Sequence, residues 1–464
     1  MNKPHVKLLN YKNKLFFVYD VNKNIVINIS KINHDKLADG FIYSNKIKVE
    51  HEDDEFKKLL DNLSFEYPTK IEQPLKKYVS AYMNHRMAGV VLQVTHNCNL
   101  RCKYCSFSQD GMFDRKHNLS NMSFDVAKKA IEILKEHSED LRIVRISFYG
   151  GEPLLNFNLI KKCVDYAKKI MPYKKIVFAM TTNLTIINKE IMSFLVQHDF
   201  KLTVSLDGPE YIHNYNRLLA STGQGSFKYV YKNLQELNNI YPEFAKNVQV
   251  NSVVDKSTDI SIIEKFFKSS ELTKDLKINY SIVDDTHLVK NYYMSKDYYQ
   301  RLKTNIFKGI LTQVLDEKKE IPLSDEFFDK YLENDEAIYD FSTSVHHGGP
   351  CIPGIKKLFV SIDGKFFPCE KASGTSNYLS IGNIYDGLDE EKIKELFDIG
   401  KISEENCKKC WAIKLCSCCC VQIDNGIELS KDMKHSHCLL QKKEIEKRLF
   451  QKGLINLCKR YIYE

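Results

Sequence analysis

Short apolar runs alternate with stretches of helical period along the middle of this chain. GVVLQVT, RIVRISFYGG, KIVFAMTTN, KLTVSLDGP, VQVNSVVD and KINYSIV are rich in β-branched and aromatic residues, as strands are. Between them, residues 123–138, NLIKKCVDYAKKIM, KEIMSFLVQH and residues 226–240 repeat their apolar positions at helical spacing. Strand–helix alternation across residues 88–285 predicts an α/β fold whose parallel sheet curls into a partial (β/α)6 barrel of the TIM type. Right-handed crossovers place the loops after the strands on one face. Cys98, Gly150, Asn183 and Asp207 fall in those loops, so they share a candidate active face.

The flanks follow other patterns. In residues 1–80, KLFFVYDV and NIVINIS are β-type runs joined by NKN, a hairpin signal. Helices are expected near 31–38 and in DDEFKKLLDNL, which makes a small winged-helix-like module. Residues 286–340 read as a charged helical bridge, 341–440 as a turn-rich and cysteine-rich domain, and 441–464 as a closing helix. At 43% hydrophobic and 28% charged, the composition is that of an ordinary globular protein. No apolar run approaches the ~18 residues of a membrane span, and the N-terminus lacks an apolar signal core. The expectation is a cytoplasmic protein with no membrane partner. The net charge of +8 is spread along the chain, which predicts a solvated surface and no nucleic-acid partner.

Fourteen cysteines change the picture. In a long chain without a secretory signal, a metal is a better reading than a disulfide framework. CNLRCKYC places Cys98, Cys102 and Cys105 directly after the first barrel strand. A structural zinc site takes four ligands, so zinc requires a distant fourth such as His96 or His117. With the Cys407-x-x-Cys410 pair and the positive charge, that reading leads to a zinc-dependent nucleic-acid-binding protein. The other reading is a four-iron, four-sulfur cluster that ordinarily takes four cysteines and here has one iron free to bind a ligand.

Cys98, Cys102 and Cys105, with Tyr104 before the last, resemble the signature of the radical S-adenosylmethionine (radical SAM) enzymes. The resemblance implies a [4Fe-4S] cluster whose open iron chelates SAM, and a 5′-deoxyadenosyl radical that abstracts hydrogen. It implies that Gly150, Gly151 and Glu152 of GGEP receive the SAM amino group, the glycines letting a ligand approach bare backbone. SLDGP and HNYNR resemble the family's fourth-strand region, which makes Ser205 a ribose contact and Arg217 a partner of the SAM carboxylate. A structural salt bridge is the competing role for Arg217. Thr182, Asn183 and Asn251 complete the expected cofactor contacts.

The C-terminal spacing also reads as a unit. Twelve residues separate Cys351 from Gly364 and four separate Gly364 from Cys369; then follows Cys407-x2-Cys410-x5-Cys416-x3-Cys420, with Cys438 seventeen residues beyond. This resembles the seven-cysteine SPASM domain, which implies two auxiliary [4Fe-4S] clusters. Cys351, Cys369 and Cys420 would hold the first, and Cys407, Cys410, Cys416 and Cys438 the second. Some relatives place another cysteine six residues before Cys351, where this chain has Val345. The first cluster then keeps an open iron or draws on Cys418, Cys419 or a nearby histidine. Cys418 and Cys419 are otherwise spare buried thiols, Cys163 and Cys458 packing residues, and His346 and His347 a solvated loop pair.

Residues 1–80 resemble the recognition element at the front of maturases of ribosomally made peptides, which takes a leader peptide as an added strand. CIPGIKKLFVSIDGKFFPCEKA and CKKCWAIKLCSCC look most like maturases of cysteine-rich peptides. The implied activity is thioether formation of the ranthipeptide or sactipeptide type, with a precursor peptide and an electron donor such as flavodoxin or ferredoxin as partners. The implied alternative is an anaerobic sulfatase-maturating enzyme that makes formylglycine.

Overall fold

The computed structural model describes residues 4–42, 54–105, 116–255, 258–283, 304, 344–347, 351–372 and 376–463. The helical bridge expected at 286–340 lies outside the described residues, Thr304 apart. The N-terminal module opens with an antiparallel sheet of β1 (Val6–Tyr11), β2 (Leu15–Asp20) and β3 (Ile25–Asn28), followed by helices Lys31–Ile42 and Asp54–Asp61. β2 is apolar on both sides, and each side finds a different cover. Phe16 and Val18 pack with Leu37 and Phe56 of the two helices, while Phe17 and Tyr19 pack with Ile413, Leu415, Ile445 and Leu449 of the C-terminal region.

The end of the expected 1–80 unit belongs elsewhere. There β4 (Lys70–Ile71) pairs in parallel with a strand far down the chain. The barrel then runs as expected through β5 (Gly89–Thr95), β6 (Ile143–Gly150), β7 (Lys175–Thr182), β8 (Lys201–Ser205), β9 (Gln249–Val254) and β10 (Lys277–Ile282). These six strands are neighbours in chain order and all parallel. Helices Phe124–Glu136, Phe157–Ile170, Lys189–Gln197, Phe227–Ile240 and Ile260–Ser269 lie among the crossovers, each burying an apolar stripe. Beneath the sheet Phe200 stacks on Phe148 at 5.9 Å and on Phe178 at 5.6 Å.

The partner of β4 is β11 (Ser344–Val345). The hairpin expected in KKLFVSIDGKFFPCE forms as β12 (Leu358–Val360) and β13 (Phe366–Phe367), with Gly364 at positive φ in its turn. Its position was not legible in the sequence: β12 pairs in parallel with β5, so the cysteine-rich domain extends the barrel sheet to eight strands. The closing helix spans Lys431–Tyr463, starting ten residues before the expected boundary and carrying Cys438. Ser430 marks that start, its hydroxyl accepting the Met433 N–H at 3.2 Å. No helix among the described residues is long and apolar enough to cross a membrane.

Candidate active site and cysteine clusters

The loop after β5 and the turn after β6 are locked together through their backbones. The Gly151 N–H donates to the Thr95 carbonyl at 3.0 Å and the Glu152 N–H to the Asn97 carbonyl at 2.8 Å. A Cβ on Gly150 would lie 2.2 Å from the Thr95 carbonyl oxygen, and one on Gly151 2.3 Å from that of Asn97. Gly150 also sits at φ 146°, which an L side chain rarely adopts. The far side of the cysteine loop is pinned by Arg101 N–H to the Leu218 carbonyl (2.8 Å) and Lys103 N–H to the Asn216 carbonyl (3.0 Å).

Cys98, Cys102 and Cys105 lie together there: burial pushes Cys98 and Cys102 up to about 12, with Cys102 and Cys105 adding to the rise at Cys98 and Cys105 to that at Cys102. Such thiols ionise only against a strong positive partner, which an iron–sulfur core supplies. Among the described residues no three Cys, His, Asp or Glu side chains come close enough to share a single metal ion. Three coupled thiols on a braced loop, beside bare glycine backbone, fit a four-iron cluster with one exposed iron.

Glu152 is spent on architecture. Its Oε1 accepts from Thr182 Oγ1 at 2.7 Å and from Leu154 N–H at 3.1 Å, and its Oε2 from Asn183 N–H at 2.7 Å. Burial raises its carboxyl to about 7 although these donors pull it down. Asn183 in turn donates to Asn99 Oδ1 at 2.9 Å and reaches Cys98 Sγ at 4.0 Å. The expected contacts Glu152, Thr182 and Asn183 are thus brought together, as one network joining the ends of β6 and β7 to the cysteine loop.

Arg217 is engaged by a carboxylate that the sequence did not assign to it. Its Nε donates to Asp207 Oδ2 at 3.0 Å, the same oxygen that accepts the Tyr104 hydroxyl at 2.6 Å. The guanidinium lies 5.4 Å from the Tyr104 ring centre and acts on Cys102. Asp207 Oδ1 accepts the Val253 N–H at 3.0 Å, so both oxygens are taken. His213 completes the cluster: its Nδ1 accepts the Asp207 N–H at 3.3 Å and its Nε2 faces Ser226 Oγ at 2.9 Å. Burial lowers its pKa to about 3 and keeps it neutral. Ser205 and Asn251 stand side by side across β8 and β9 at the same end of the sheet.

The second cysteine field resolves into two groups. Cys410, Cys416 and Cys438 each lie within electrostatic reach of Cys407, the four that the resemblance implied as one ligand set. Cys351, Cys369 and Cys420 form the other group, and Cys419 stands with them. Cys418 is fully buried in the apolar core, as is Cys163. The solvated pair expected at His346 and His347 is a correction: both are buried, because the turn at Gly400 and the closing helix cover them. His346 Nε2 accepts the Gly400 N–H at 2.8 Å, which leaves its Nδ1 to donate to the His347 carbonyl at 2.9 Å. Fully buried Lys434 caps the same turn, its Nζ donating to the Ile399 carbonyl at 2.5 Å.

The fold and the three-cysteine loop define a partial-barrel enzyme built around an iron–sulfur cluster. Residues 92–265 match the radical SAM superfamily, whose enzymes use SAM and a [4Fe-4S] cluster. Two curated relatives are 29% identical: a cysteine-type anaerobic sulfatase-maturating enzyme of Clostridium novyi (40% of this chain, 49% of the relative) and the radical SAM cyclopropyl synthase TigE of Paramaledivibacter caminithermalis (44% of each). The chain thus spans about half the length of these relatives. Among solved structures, native anSMEcpe with bound AdoMet and the Cp18Cys peptide superposes at a TM-score of 0.57, with 22% identity over 81% of this chain and 99% of that one. That likeness establishes a shared fold.

Proposed function

We propose that the chain is a radical SAM peptide maturase that joins a cysteine sulfur to a carbon within a ribosomally made, cysteine-rich precursor. When bound, SAM and its cluster supply a hydrogen-abstracting 5′-deoxyadenosyl radical, and the auxiliary clusters an electron acceptor. The chain's own residues do the rest. Cys98, Cys102 and Cys105 would hold the first cluster, and the Gly150–Gly151 backbone would take the cofactor's amino group. Ser205 and Asn251 offer polar groups for the ribose. Tyr104 is held rigid by Asp207 and Arg217, which presents its ring at a fixed angle beside the loop. Each thioether removes one thiol hydrogen and one carbon-bound hydrogen from the peptide.

The N-terminal sheet is the observation that carries this reading. One face is packed onto the cysteine-rich region, and among the described residues no strand pairs with the outer edge of β3. The Ile29 N–H donates inward to the Phe16 carbonyl, so by antiparallel alternation the Val26 and Asn28 N–H groups point outward. That edge suits a leader peptide added as a strand.

Formylglycine formation is the second reading, favoured by similarity to the sulfatase-maturating relative. It requires a general base, and Asp207 does not offer one, since both its oxygens are occupied. The test is Asn28→Pro, which removes an outward N–H. Binding of a cysteine-rich precursor peptide carrying its leader should weaken about tenfold, one ordered hydrogen-bond register being lost. Unchanged binding refutes leader docking on the β3 edge, and a product without the loss of two hydrogens per linkage refutes the thioether reading.

A further inference from the structure

We infer that Asn183 is a positioning residue for the cluster of the three-cysteine loop: its side-chain amide donates to the Cys98 sulfur and raises that cluster's reduction potential. The inference rests on the reading that Cys98, Cys102 and Cys105 hold a four-iron cluster, and not on which peptide is modified.

The direction of that amide is fixed by its neighbours. Asn183 Oδ1 accepts twice from Thr185, from its N–H at 3.0 Å and from its hydroxyl at 2.7 Å. The Thr185 hydroxyl has one proton to give, so toward Asn99 Nδ2, 2.7 Å away, it is the acceptor. Asn99 Oδ1 then accepts one N–H of Asn183 Nδ2 at 2.9 Å. Asn183, Thr185 and Asn99 thus close a ring in which each donor meets an acceptor. Turning the Asn183 amide over would set oxygen against oxygen at Asn99 and an NH2 group against the Thr185 N–H. The orientation that satisfies the ring leaves the second Nδ2 hydrogen for Cys98 Sγ, 4.0 Å away.

The backbone holds the amide on that line. The Asn183 N–H is bonded to buried Glu152 at 2.7 Å, and Leu184 follows at φ 55°, which turns the chain sharply after β7. Cys98 Sγ also takes the Leu100 N–H at 3.4 Å, so a backbone donor and a side-chain donor face one sulfur. Asn183 is buried, and bulk water competes little for its N–H groups. Hydrogen bonds to the sulfurs are one of the levers that set an iron–sulfur potential. A donor stabilises the reduced cluster more than the oxidised one, because reduction puts more negative charge on the sulfur it faces. The resemblance implied that Asn183 contacts SAM. The geometry instead commits its oxygen to Thr185 and its two amide hydrogens to Asn99 and Cys98.

The test is a dye-mediated EPR redox titration of the full chain, reconstituted anaerobically with iron and sulfide. Added SAM perturbs the signal of the cluster it binds and so identifies it; the midpoint of that signal is then read without SAM. Asn183→Leu keeps the volume and loses the N–H aimed at the sulfur. At a fixed potential it should lower the reduced-to-oxidised ratio of that signal about threefold, one hydrogen bond's worth. Asn183→Asp keeps the acceptor for Thr185 but sets a negative charge toward Cys98. It should lower the ratio about tenfold, which is about 59 mV in a one-electron midpoint. Thr185→Val takes the hydroxyl out of the ring and leaves the donor on Cys98, so its midpoint should stay at the parent's while its stability falls. An Asn183→Leu protein that loads iron as the parent does and keeps the parent's midpoint overturns the inference; if its SAM binding alone weakens, Asn183 is a cofactor contact. Should the leucine protein lose the signal, Asn183→Asp decides on the same terms, and loss in both overturns the tuning role in favour of a structural one. A parent with no signal that responds to SAM overturns the cluster reading itself, and Asn183 with it.

Discussion

The Tyr104 hydroxyl donates to Asp207 Oδ2 at 2.6 Å, tying the cysteine loop after β5 to the end of β8 across 103 residues of chain. Arg217 shares that oxygen at 3.0 Å, so one buried carboxylate orients an aromatic ring and neutralises a guanidinium. Replacing Asp207 by Asn should strand the Arg217 charge and cost about 3–5 kcal/mol. Tyr104→Phe should cost about 2 kcal/mol, one hydrogen bond to a charged group. Urea denaturation midpoints of the two variants give this order directly; equal losses would mean that the Arg217 pair is not desolvated.

Gly150→Ala should be far harsher than its single methyl suggests. The new Cβ meets the Thr95 carbonyl oxygen at 2.2 Å, on a residue at φ 146°. The turn has to move away from the cysteine loop, at a cost of about 2 kcal/mol or more. Equilibrium dialysis with labelled SAM should show at least about thirtyfold weaker binding, at 1.36 kcal/mol per tenfold.

His213 predicts a pH dependence of stability. Its pKa falls to about 3 in the fold because burial disfavours the cation, against an ordinary 6.5. A depressed histidine binds its proton more readily in the unfolded chain. Stability is therefore complete above pH ~6.5 and is lost as pH falls toward 3, by about 2 kcal/mol at pH 5. His213→Gln can still accept from Asp207 N–H and donate to Ser226. Its unfolding free energy should lose this slope between pH 7 and 5 while the parent keeps it.

Metal removal should loosen the N-terminal module before the barrel. Phe17 and Tyr19 of β2 pack on Ile413 and Leu415, which lie between Cys410 and Cys416, the proposed ligands of the second auxiliary cluster. Stripping iron with a chelator should speed amide exchange in β1–β3 by at least about tenfold and leave β6 and β7 protected. Cys438→Ala should reproduce the effect in the reconstituted protein.

Much of the fold was written in the order of residues. Strand and helix periods are local properties, so GVVLQVT through KINYSIV named all six barrel strands, and the parallel topology followed from the spacing between them. The three-cysteine loop was equally plain, because Cys98, Cys102 and Cys105 lie within eight residues of chain. Asp207 was placed on the candidate active face and in SLDGP, but its partners were not legible, since nothing local links it to Arg217 ten positions on or to Tyr104 a hundred before. The buried His346 and His347 were misread for the same reason: a short polar stretch looks solvated until another segment covers it.

The sequence alone determined the sheet and the two cysteine-rich segments, because periodicity and cysteine spacing lie within a few residues of one another, while the iron–sulfur reading came with the family resemblance. The tertiary structure decided that β12 extends the barrel sheet beside β5, that Arg217 answers to Asp207, and that Cys419 rather than Cys418 stands with Cys351, Cys369 and Cys420. Those outcomes depend on which distant surfaces exclude water together. Adjacent cysteines with the same local propensity can be told apart only by the packing that buries Cys418 in the core and leaves Cys419 near Cys351.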